Sequence, residues 1–321
     1  MVDLAARVAA GDRRALAKAI TLVESTAPAH EADARRLLSA ALPRAGGAFR
    51  IGLSGAPGAG KSTFIEAFGM HLIGAGHRVA VLAVDPSSQR SGGSILGDKT
   101  RMDRLSRAAA AFIRPSPAGA TLGGVARRTR EAMVIVEAAG FDVVIVETVG
   151  VGQSETAVAG MTDAFVLLLA PGGGDELQGM KRGIMEAADL VAVNKADGDL
   201  AMAARRAAAD VQSALHYMRP KHAAWSPETL TISALESRGI DTVWQALQRY
   251  RAAVERAGLW AERRRQQAKA WLWDELKETL LAALAADPRV AGEAGALEEA
   301  VAAGRLLPAE AAERMLALFR A

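Results

Sequence analysis

Cysteine is missing from the sequence, and aromatic residues are scarce. None of the 321 residues is cysteine, and only 4% are aromatic. The lack of cysteine excludes a disulfide framework, a thiolate zinc site and a cysteine nucleophile. Alanine and leucine must therefore supply most of the packing in a chain of which half the residues are apolar.

Long apolar runs are also missing. The most apolar run covers residues 164–170, whereas a transmembrane helix needs about 20 consecutive apolar residues. The first residues show no basic segment followed by a long apolar stretch, so no signal peptide is predicted. We expect a cytoplasmic protein that does not associate with a membrane.

Neither sign of charge dominates. The sequence has 39 Lys and Arg residues against 36 Asp and Glu, which gives a formal net charge of +3. A domain dedicated to nucleic-acid binding carries a marked basic excess. We therefore predict that nucleic acid is not a partner of this protein.

Short runs rich in Val and Ile alternate with longer amphipathic stretches in the middle of the sequence. Continuous apolar strands separated by helices indicate a parallel sheet that is covered on both faces. The predicted fold class is therefore α/β, with a mainly parallel sheet flanked by helices. The predicted strands are 49–54, 79–85, 143–148, 164–170, 190–195 and 230–234.

Both ends of the sequence are predicted to be helical. Apolar residues recur at helical spacing between residues 4 and 23, and again between residues 273 and 284. This pattern predicts a helical N-terminal arm at 1–45, a core at 46–250 and a helical C-terminal extension at 251–321. All Trp and Tyr residues follow residue 216, which is consistent either with core packing or with an interface, where these residues are enriched.

A phosphate-binding loop is the strongest motif. Residues 55–62 read Gly-Ala-Pro-Gly-Ala-Gly-Lys-Ser, which fits G-x-x-x-x-G-K-[ST] between a predicted strand and a predicted helix. Glycines let backbone N–H groups surround a phosphate, and the start of the helix adds partial positive charge. The motif predicts that Lys61 reaches the β- and γ-phosphates and that the Ser62 hydroxyl binds Mg²⁺. The predicted nucleotide contacts in this segment are Gly55, Pro57, Gly58, Ala59, Gly60, Lys61, Ser62 and Thr63.

A second motif, Asn194-Lys195-Ala196-Asp197, indicates which base is bound. It matches the N-K-x-D guanine-recognition pattern and follows a predicted strand. The Asp197 carboxylate can accept hydrogen bonds from the guanine N1–H and its exocyclic amine, and adenine lacks that pair of donors. We expect Asn194 to brace the pocket and Lys195 to lie over the base. Ser233, Ala234 and Leu235 resemble the segment that closes such a pocket through a backbone N–H.

Two acidic residues end predicted strands at the edge where the nucleotide would bind. Asp85 and Glu147 occupy these positions, and carboxylates at the carboxyl ends of parallel strands converge on the ligand crevice. Both are candidate ligands of Mg²⁺ or of its waters, and Asp98 could join them. Gly150 can donate its N–H to the γ-phosphate, and Gln153 is a candidate for orienting the attacking water.

Taken together, these motifs resemble the MeaB/ArgK family of GTPases associated with methylmalonyl-CoA mutase, within the SIMIBI class of P-loop proteins. The resemblance covers the whole predicted core and extends more weakly into both helical ends. It is carried by residues 55–63, 85–88, 91–102, 147–155, 172–179 and 194–197.

The resemblance implies more than the motifs themselves. It implies a P-loop GTPase that converts GTP to GDP and gates the loading of adenosylcobalamin onto a partner acyl-CoA mutase, or protects that mutase. It also implies a homodimer, held partly by the C-terminal helices, in which the late Trp residues form part of the assembly surface. Adenosylcobalamin would be met only through the partner. Asp175, Gln178 and Lys181 match the polar members of a family switch that answers to nucleotide and contacts the mutase.

Other classes of GTPase remain as alternatives. A nickel-insertion GTPase would show Cys or clustered His ligands, which this sequence does not have. A signal-recognition-type GTPase would carry an RNA- or membrane-facing domain. A transport-associated protein kinase would transfer phosphate to a protein, and no acceptor motif is evident. A scaffold that only binds GDP is disfavoured by the complete set of γ-phosphate and magnesium positions.

Overall fold

A seven-stranded parallel sheet organises the larger part of the chain. The computed structural model describes residues 2–84, 102–115, 122–148, 154–172, 182–218 and 220–320. The strands lie in the order β3-β2-β4-β1-β5-β6-β7, and every neighbouring pair is parallel. The strands are β1 Phe49–Ser54, β2 Val79–Val84, β3 Ala111–Arg114, β4 Val143–Thr148, β5 Ala164–Leu169, β6 Leu190–Val193 and β7 Glu228–Thr231.

The predicted fold class is confirmed. β5 and β6 end at Leu169 and Val193, one and two residues earlier than predicted, and the two edge strands differ more. β3 was not predicted, because it has only four residues and lies at one edge of the sheet. β7 was predicted at 230–234 but ends at Thr231. It forms the other edge, and its residues are half-buried or exposed rather than uniformly apolar. A search for continuous apolar runs is suited to central strands, which are buried on both faces.

Helices cover both faces of the sheet. On one face, side chains of β1 pack with α4 and α10 in a buried cluster that includes Phe49, Phe68, Trp244 and Tyr250. On the other face lie α6 and α7. The helices are α1 Val2–Ala9, α2 Arg13–Val23, α3 Pro28–Ala41, α4 Lys61–Gly74, α5 Asp103–Arg107, α6 Leu122–Ala138, α7 Ser154–Met161, α8 Arg182–Ala187, α9 Ala201–His216, α10 Ile240–Arg256, α11 Leu259–Ala286, α12 Pro288–Ala302 and α13 Pro308–Arg320.

The N-terminal arm consists of three helices that pack beside α6. Asp12 caps α2 by accepting hydrogen bonds from two backbone N–H groups, and Pro28 occupies the first turn of α3. At the end of α2, the buried Glu24 side chain pairs with Arg114 at the end of β3. Burial raises the pKa of Glu24, and the hydrogen bonds from Arg114 oppose this rise without cancelling it.

The chain forms two compact units, residues 1–267 and 268–321, and the division falls within α11. In the first unit, the Trp244 and Trp260 rings pack on Phe49, and Trp225 packs on Tyr250. Trp244 therefore belongs to the core, and Trp225 and Trp260 are half-buried and pack against it. A part for the late Trp residues in an assembly surface stays a prediction. The domain boundaries at residues 45 and 250 stay predictions.

The second unit contains the rest of α11 and the helical hairpin of α12 and α13. Val290, Leu297 and Ala311 are its buried apolar residues. Asp287 caps α12, and Arg289 hydrogen-bonds to its carboxylate, which lowers the pKa of Asp287 to about 2. Trp273, Leu276 and Leu280 of α11 are 61%, 41% and 51% exposed. Among the described residues, no helix is both long and apolar enough to cross a bilayer.

An ionic cluster secures the first turns of α11 to the amino-terminal edge of the sheet. The Arg264 guanidinium pairs with the Asp163 carboxylate at 2.6 Å and donates to the Ala48 carbonyl oxygen at 2.6 Å. Burial lowers the pKa of Arg264, but the hydrogen bond and negative charge of Asp163 outweigh it and raise the pKa overall. Arg263 donates to the Tyr250 hydroxyl at 2.8 Å. This cluster lies at the edge opposite the carboxyl ends of the strands.

Candidate functional site

The phosphate loop connects β1 to α4 at the centre of the sheet. β1 ends at Ser54 and α4 begins at Lys61. Gly58 and Gly60 have φ angles of 85° and 90°. Glycine is favoured in this region of backbone angles because glycine carries no Cβ. Gly60 is also the residue preceding α4, so the backbone N–H groups of the first turn point toward the loop. This arrangement produces an anion-binding site at the start of a helix.

Two glycines of the loop are required by close packing. A Cβ at Gly55 would lie 2.2 Å from the Leu168 carbonyl oxygen on β5, which is backbone and cannot rotate away. A Cβ at Gly60 would lie 2.5 Å from Nδ2 of Asn194. The loop therefore approaches both the neighbouring strand and the base-recognition motif more closely than any other residue type would permit.

Lys61 lies over the loop. Its Nζ donates to the carbonyl oxygens of Gly55 and Ala56, at 2.7 and 3.2 Å. The side chain is half-buried, so its charge acts in a partly desolvated environment where electrostatic interactions are stronger than in water. The ammonium group is thus held above the loop.

Asn194 joins three segments that are far apart in the sequence. It follows β6, is 2% exposed, and donates from Nδ2 to the Ala59 carbonyl oxygen at 2.9 Å. Its Oδ1 accepts a hydrogen bond from the Ala234 backbone N–H, also at 2.9 Å. One amide side chain therefore connects the phosphate loop, the base-recognition motif and the segment after β7. The bracing role of Asn194 in nucleotide binding stays a prediction.

Asp197 lies beside the segment after β7. Its carboxylate accepts a hydrogen bond from the Ser233 hydroxyl, and the same hydroxyl accepts from the Glu236 backbone N–H at 3.1 Å. One side of the carboxylate is fixed in this way. Lys195 has a φ angle of 58°, which is unusual for a residue with a Cβ. Leu235 is 78% exposed.

The carboxyl ends of β1 and β4 supply further polar groups next to the loop. The Thr148 hydroxyl donates to the Ser54 hydroxyl at 2.8 Å, and both residues are buried. Glu147 pairs in register with Leu53 and is half-buried, as is Ser62 at the start of α4. These oxygen atoms border the same edge of the sheet as the phosphate loop. The Ser54–Thr148 contact has no motif in the sequence and was not predicted.

Several predicted site residues lie outside the described residues. They are Asp85, Asp98, Gly150, Gln153, Asp175, Gln178 and Lys181. Their assigned roles stay predictions. The described members of the predicted nucleotide site lie in the loop after β1, at the start of α4 and in the loops after β6 and β7, at one edge of one sheet.

Comparison with known proteins identifies the family. The model of the family described as methylmalonyl Co-A mutase-associated GTPase MeaB matches residues 16–289. The chain belongs to the MeaB family. The resemblance inferred from the motifs is therefore confirmed, and this MeaB-family chain is a P-loop GTPase.

Relatives of this MeaB-family chain include bacterial and mitochondrial proteins. GTPase ArgK of Escherichia coli K12 is 54% identical over 275 residues, which cover 86% of this chain and 83% of ArgK. The mouse protein named methylmalonic aciduria type A homolog, mitochondrial, is 49% identical over 320 residues, covering 97% and 77% of the two chains. A crystal structure described as LAO/AO transport system kinase is 43% identical, with a TM-score of 0.78 and coverage of 99% and 97%.

Proposed function

We propose that this GTPase gates the delivery of adenosylcobalamin to a cobalamin-dependent acyl-CoA mutase, such as methylmalonyl-CoA mutase, and protects or reactivates that mutase. The match to a family described as mutase-associated carries the proposal. The nucleotide site would set how long the GTP-bound state lasts, because GTP hydrolysis changes the ligand that the phosphate loop holds. The mutase is the proposed partner, and cobalamin is met only through it.

The described residues suggest how the site would bind GTP. Asp197 accepts hydrogen bonds from the guanine N1–H and amine, while Asn194 holds the base motif against the loop. Loop N–H groups and the start of α4 bind the phosphates, and Lys61 neutralises charge on the β- and γ-phosphates. Lys195 lies over the base, and the backbone of residues 233–235 closes the pocket.

Hydrolysis then proceeds by in-line attack of water on the γ-phosphorus. The bond from the γ-phosphorus to the β–γ bridging oxygen breaks, and GDP and inorganic phosphate leave. Positioning and charge neutralisation supply the catalysis in reactions of this kind. Lys61 and the loop N–H groups stabilise the charge that accumulates on the phosphate oxygens. Gly150 and Gln153 are the proposed contacts of the γ-phosphate and the water.

The residues at the edge of the sheet suit a magnesium ion. The Ser62 hydroxyl and Glu147 carboxylate are hard oxygen donors near the loop, and Mg²⁺ prefers oxygen ligands while keeping several waters. No group of three or more His, Cys, Asp or Glu residues in the described part of the chain could hold a metal by itself, so phosphate oxygens and water would complete the sphere. Asp85 and Asp98 are further proposed ligands. When bound, Mg²⁺ would neutralise phosphate charge.

The proposed assembly is a homodimer that uses the C-terminal extension. The exposed apolar residues of α11, Trp273, Leu276 and Leu280, support this proposal. Analytical ultracentrifugation of the purified protein measures directly whether it is a monomer or a dimer. Replacing Leu276 and Leu280 with Glu is expected to shift a dimer to monomers, and an unchanged sedimentation coefficient would remove these residues from the interface.

Phosphate release from GTP tests the gating proposal. The purified protein is assayed alone and with each of the methylmalonyl-, ethylmalonyl-, isobutyryl- and 2-hydroxyisobutyryl-CoA mutases. We expect slow turnover by the isolated protein and acceleration by one mutase, because a timer must retain its signal until the partner responds. Lys61→Ala serves as the inactive control. Fast turnover that no mutase changes would refute the gating role while leaving the GTPase assignment intact.

A delivery assay separates loading from mere contact. Adenosylcobalamin transfer to the apo-mutase is followed by its absorbance spectrum, with GTP or with a non-hydrolysable analogue. We expect nucleotide hydrolysis to be required for a complete transfer cycle. Equal transfer with both nucleotides, and with Lys61→Ala, would argue against control by GTP.

A second candidate function is phosphate transfer in amino-acid transport. It is favoured by the similarity to the structure described as LAO/AO transport system kinase. Incubation with GTP labelled at the γ-phosphate distinguishes the two functions. Hydrolysis releases all label as inorganic phosphate, whereas a kinase leaves label on a protein.

A further inference from the structure

Arg238 lies next to the base-recognition motif but belongs to none of the motifs found in the sequence. Its guanidinium Nη2 donates to the Ala196 carbonyl oxygen at 2.5 Å, across a separation of 42 residues. Ala196 is the variable position between Lys195 and Asp197. The contact therefore falls on the peptide bond that directly precedes the carboxylate assigned to guanine.

The two peptide groups that flank Ala196 are each held by one hydrogen bond, because the Ala196 N–H belongs to the peptide after Lys195 and the Ala196 carbonyl to the peptide before Asp197. The Ala196 N–H donates to the Ile232 carbonyl oxygen at 2.9 Å, and the Ala196 carbonyl oxygen accepts from Arg238. Rotation of the peptide between Ala196 and Asp197 would redirect the Asp197 side chain, because it changes the backbone angle at which that side chain leaves the chain. The hydrogen bond from Arg238 to the Ala196 carbonyl oxygen opposes this rotation directly, and the bond from the Ala196 N–H fixes the preceding peptide.

The backbone conformation at Lys195 is one that needs support from hydrogen bonds of this kind. Its φ angle of 58° is sparsely populated by residues with a Cβ, and such conformations persist only where the surrounding structure fixes them. Hydrogen bonds that involve a charged donor are stronger than neutral ones. The Arg238 guanidinium is thus suited to hold the strained turn.

Arg238 is itself anchored at both ends. Its backbone N–H and carbonyl oxygen exchange hydrogen bonds with Ser233, at 2.9 and 3.0 Å, and its guanidinium pairs with Glu236 at 3.0 Å. Ser233 also donates to the Asp197 carboxylate. The backbone of Arg238 therefore supports the residue that holds the carboxylate, while its side chain supports the peptide before it.

We propose that Arg238 is a positioning residue for guanine specificity, which fixes the Ala196 peptide so that the Asp197 carboxylate meets both donors of the base. This inference rests on the proposed guanine-binding role of Asp197. It assigns no contact between Arg238 and the nucleotide, and it does not depend on the identity of any mutase.

The proposal predicts a selective change in affinity. IDP has the same phosphates and sugar as GDP but lacks the exocyclic amine. In Arg238→Gln the Asp197 carboxylate loses its alignment with the base. GDP binding should then weaken about tenfold, which corresponds to the loss of one charge-assisted hydrogen bond between that carboxylate and guanine. IDP binding should weaken no more than about twofold, because IDP offers the carboxylate only the N1–H, which one oxygen of a displaced carboxylate can still accept, whereas GDP needs both oxygens in place. The ratio of the two dissociation constants should fall about fivefold, which follows from these two changes.

Three matched variants complete the binding experiment, which is carried out by titration calorimetry on the full chain. Arg238→Lys keeps a cationic donor and should restore most of the ratio. Glu236→Gln keeps Arg238 but removes its ion pair, and should give a smaller change in the same direction. Arg249→Gln removes an exposed ion pair with Glu228 at the end of the sheet remote from the base motif, and should leave both affinities unchanged.

Kinetics supply a second measurement. Because the phosphate loop is untouched, Arg238→Gln should raise KM for GTP about tenfold and leave kcat near the wild-type value, as expected for a loss of uniform binding. The Arg238 side chain is 61% exposed, so its replacement leaves no cavity in the core. Glu236→Gln provides the same test independently if Arg238→Gln fails to fold.

The outcomes separate this proposal from the wider function. A lower GDP-to-IDP preference in Arg238→Gln, restored in Arg238→Lys, supports the assignment. An unchanged preference overturns it, whether the two affinities stay constant or weaken equally. If the wild-type protein itself does not prefer GDP over IDP, the guanine role of Asp197 fails together with this inference. Absence of any mutase effect would bear on the gating function alone.

Discussion

Removal of the Arg264 side chain should destabilise the first unit strongly. The guanidinium is 19% exposed and pairs with the Asp163 carboxylate, which is 1% exposed, at 2.6 Å. It also donates to the Ala48 carbonyl oxygen at 2.6 Å and to the Gly46 carbonyl oxygen. Arg264→Ala would leave a buried carboxylate and two carbonyl groups without these donors.

The expected magnitude follows from that loss. Removing one partner of a buried ion pair costs about 3–5 kcal/mol of unfolding free energy, because the remaining charge stays desolvated. For a unit of this size, each kcal/mol lowers the melting temperature by roughly 2–4 °C, so a decrease of about 6–20 °C is expected. Arg265→Ala is the matched control, since the Arg265 side chain is 64% exposed and pairs with Glu262, whose side chain is 45% exposed.

Urea denaturation followed by tryptophan fluorescence measures this effect, because Trp260 lies under the Arg264 guanidinium at 5.0 Å. Asp163→Asn in the Arg264→Ala background removes the unpaired charge and keeps an acceptor for the Arg50 N–H. The double variant should therefore lose less than the sum of the single losses, by about 1–3 kcal/mol. Equal stability of Arg264→Ala and Arg265→Ala would refute the reasoning.

Four further predictions concern the nucleotide site and the N-terminal arm. Lys61→Ala should weaken GTP binding at least about tenfold through loss of charge-assisted hydrogen bonds. Asp197→Asn should lower the preference for guanine over adenine nucleotides by a factor on the order of 100. Wild-type affinity and preference in both variants would contradict the assigned nucleotide site. Gly55→Ala should lower both melting temperature and GTP affinity, since its Cβ would meet the Leu168 carbonyl oxygen at 2.2 Å, and wild-type values would disprove that close approach. Because burial raises the folded-state pKa of Glu24 above its ordinary value of 4.5, the folded state keeps a proton that the unfolded state has lost, and stability falls as pH rises from 4.5 through the folded-state pKa. The urea midpoint of the wild type minus that of Glu24→Gln should decrease as pH rises above 4.5, and a difference that does not change with pH would contradict the raised pKa.

The sequence predicted the central strands better than the edges. The bounds of β1 and β4 agree with the prediction, because both strands are buried on each face and read as continuous apolar runs. β3 and β7 each have four residues at an edge of the sheet. Their backbones are held by one neighbour only, so their formation depends on the completed sheet rather than on a local pattern.

The late aromatic residues illustrate the same limit. Composition alone could not separate a core from an interface, and both uses enrich Trp and Tyr. The tertiary structure packs Trp244 and Trp260 on Phe49, about 200 residues earlier in the chain, while Trp273 remains exposed. The packing of its helix thus decides whether each of these tryptophans is buried or exposed. The neighbouring residues in the sequence do not specify that packing.

The sequence by itself determined the chemistry of the nucleotide site, because phosphate binding depends on glycines, a lysine and a hydroxyl at fixed spacing within one short loop and the start of the next helix. Only the tertiary structure decided how that loop is joined to base recognition. Asn194 reaches Ala59 and Ala234, and Arg238 reaches Ala196, because parallel strands bring the loops after β1, β6 and β7 to one edge of the sheet. Hydrogen bonds that act over 3 Å require that proximity, and proximity between distant segments is a property of the fold.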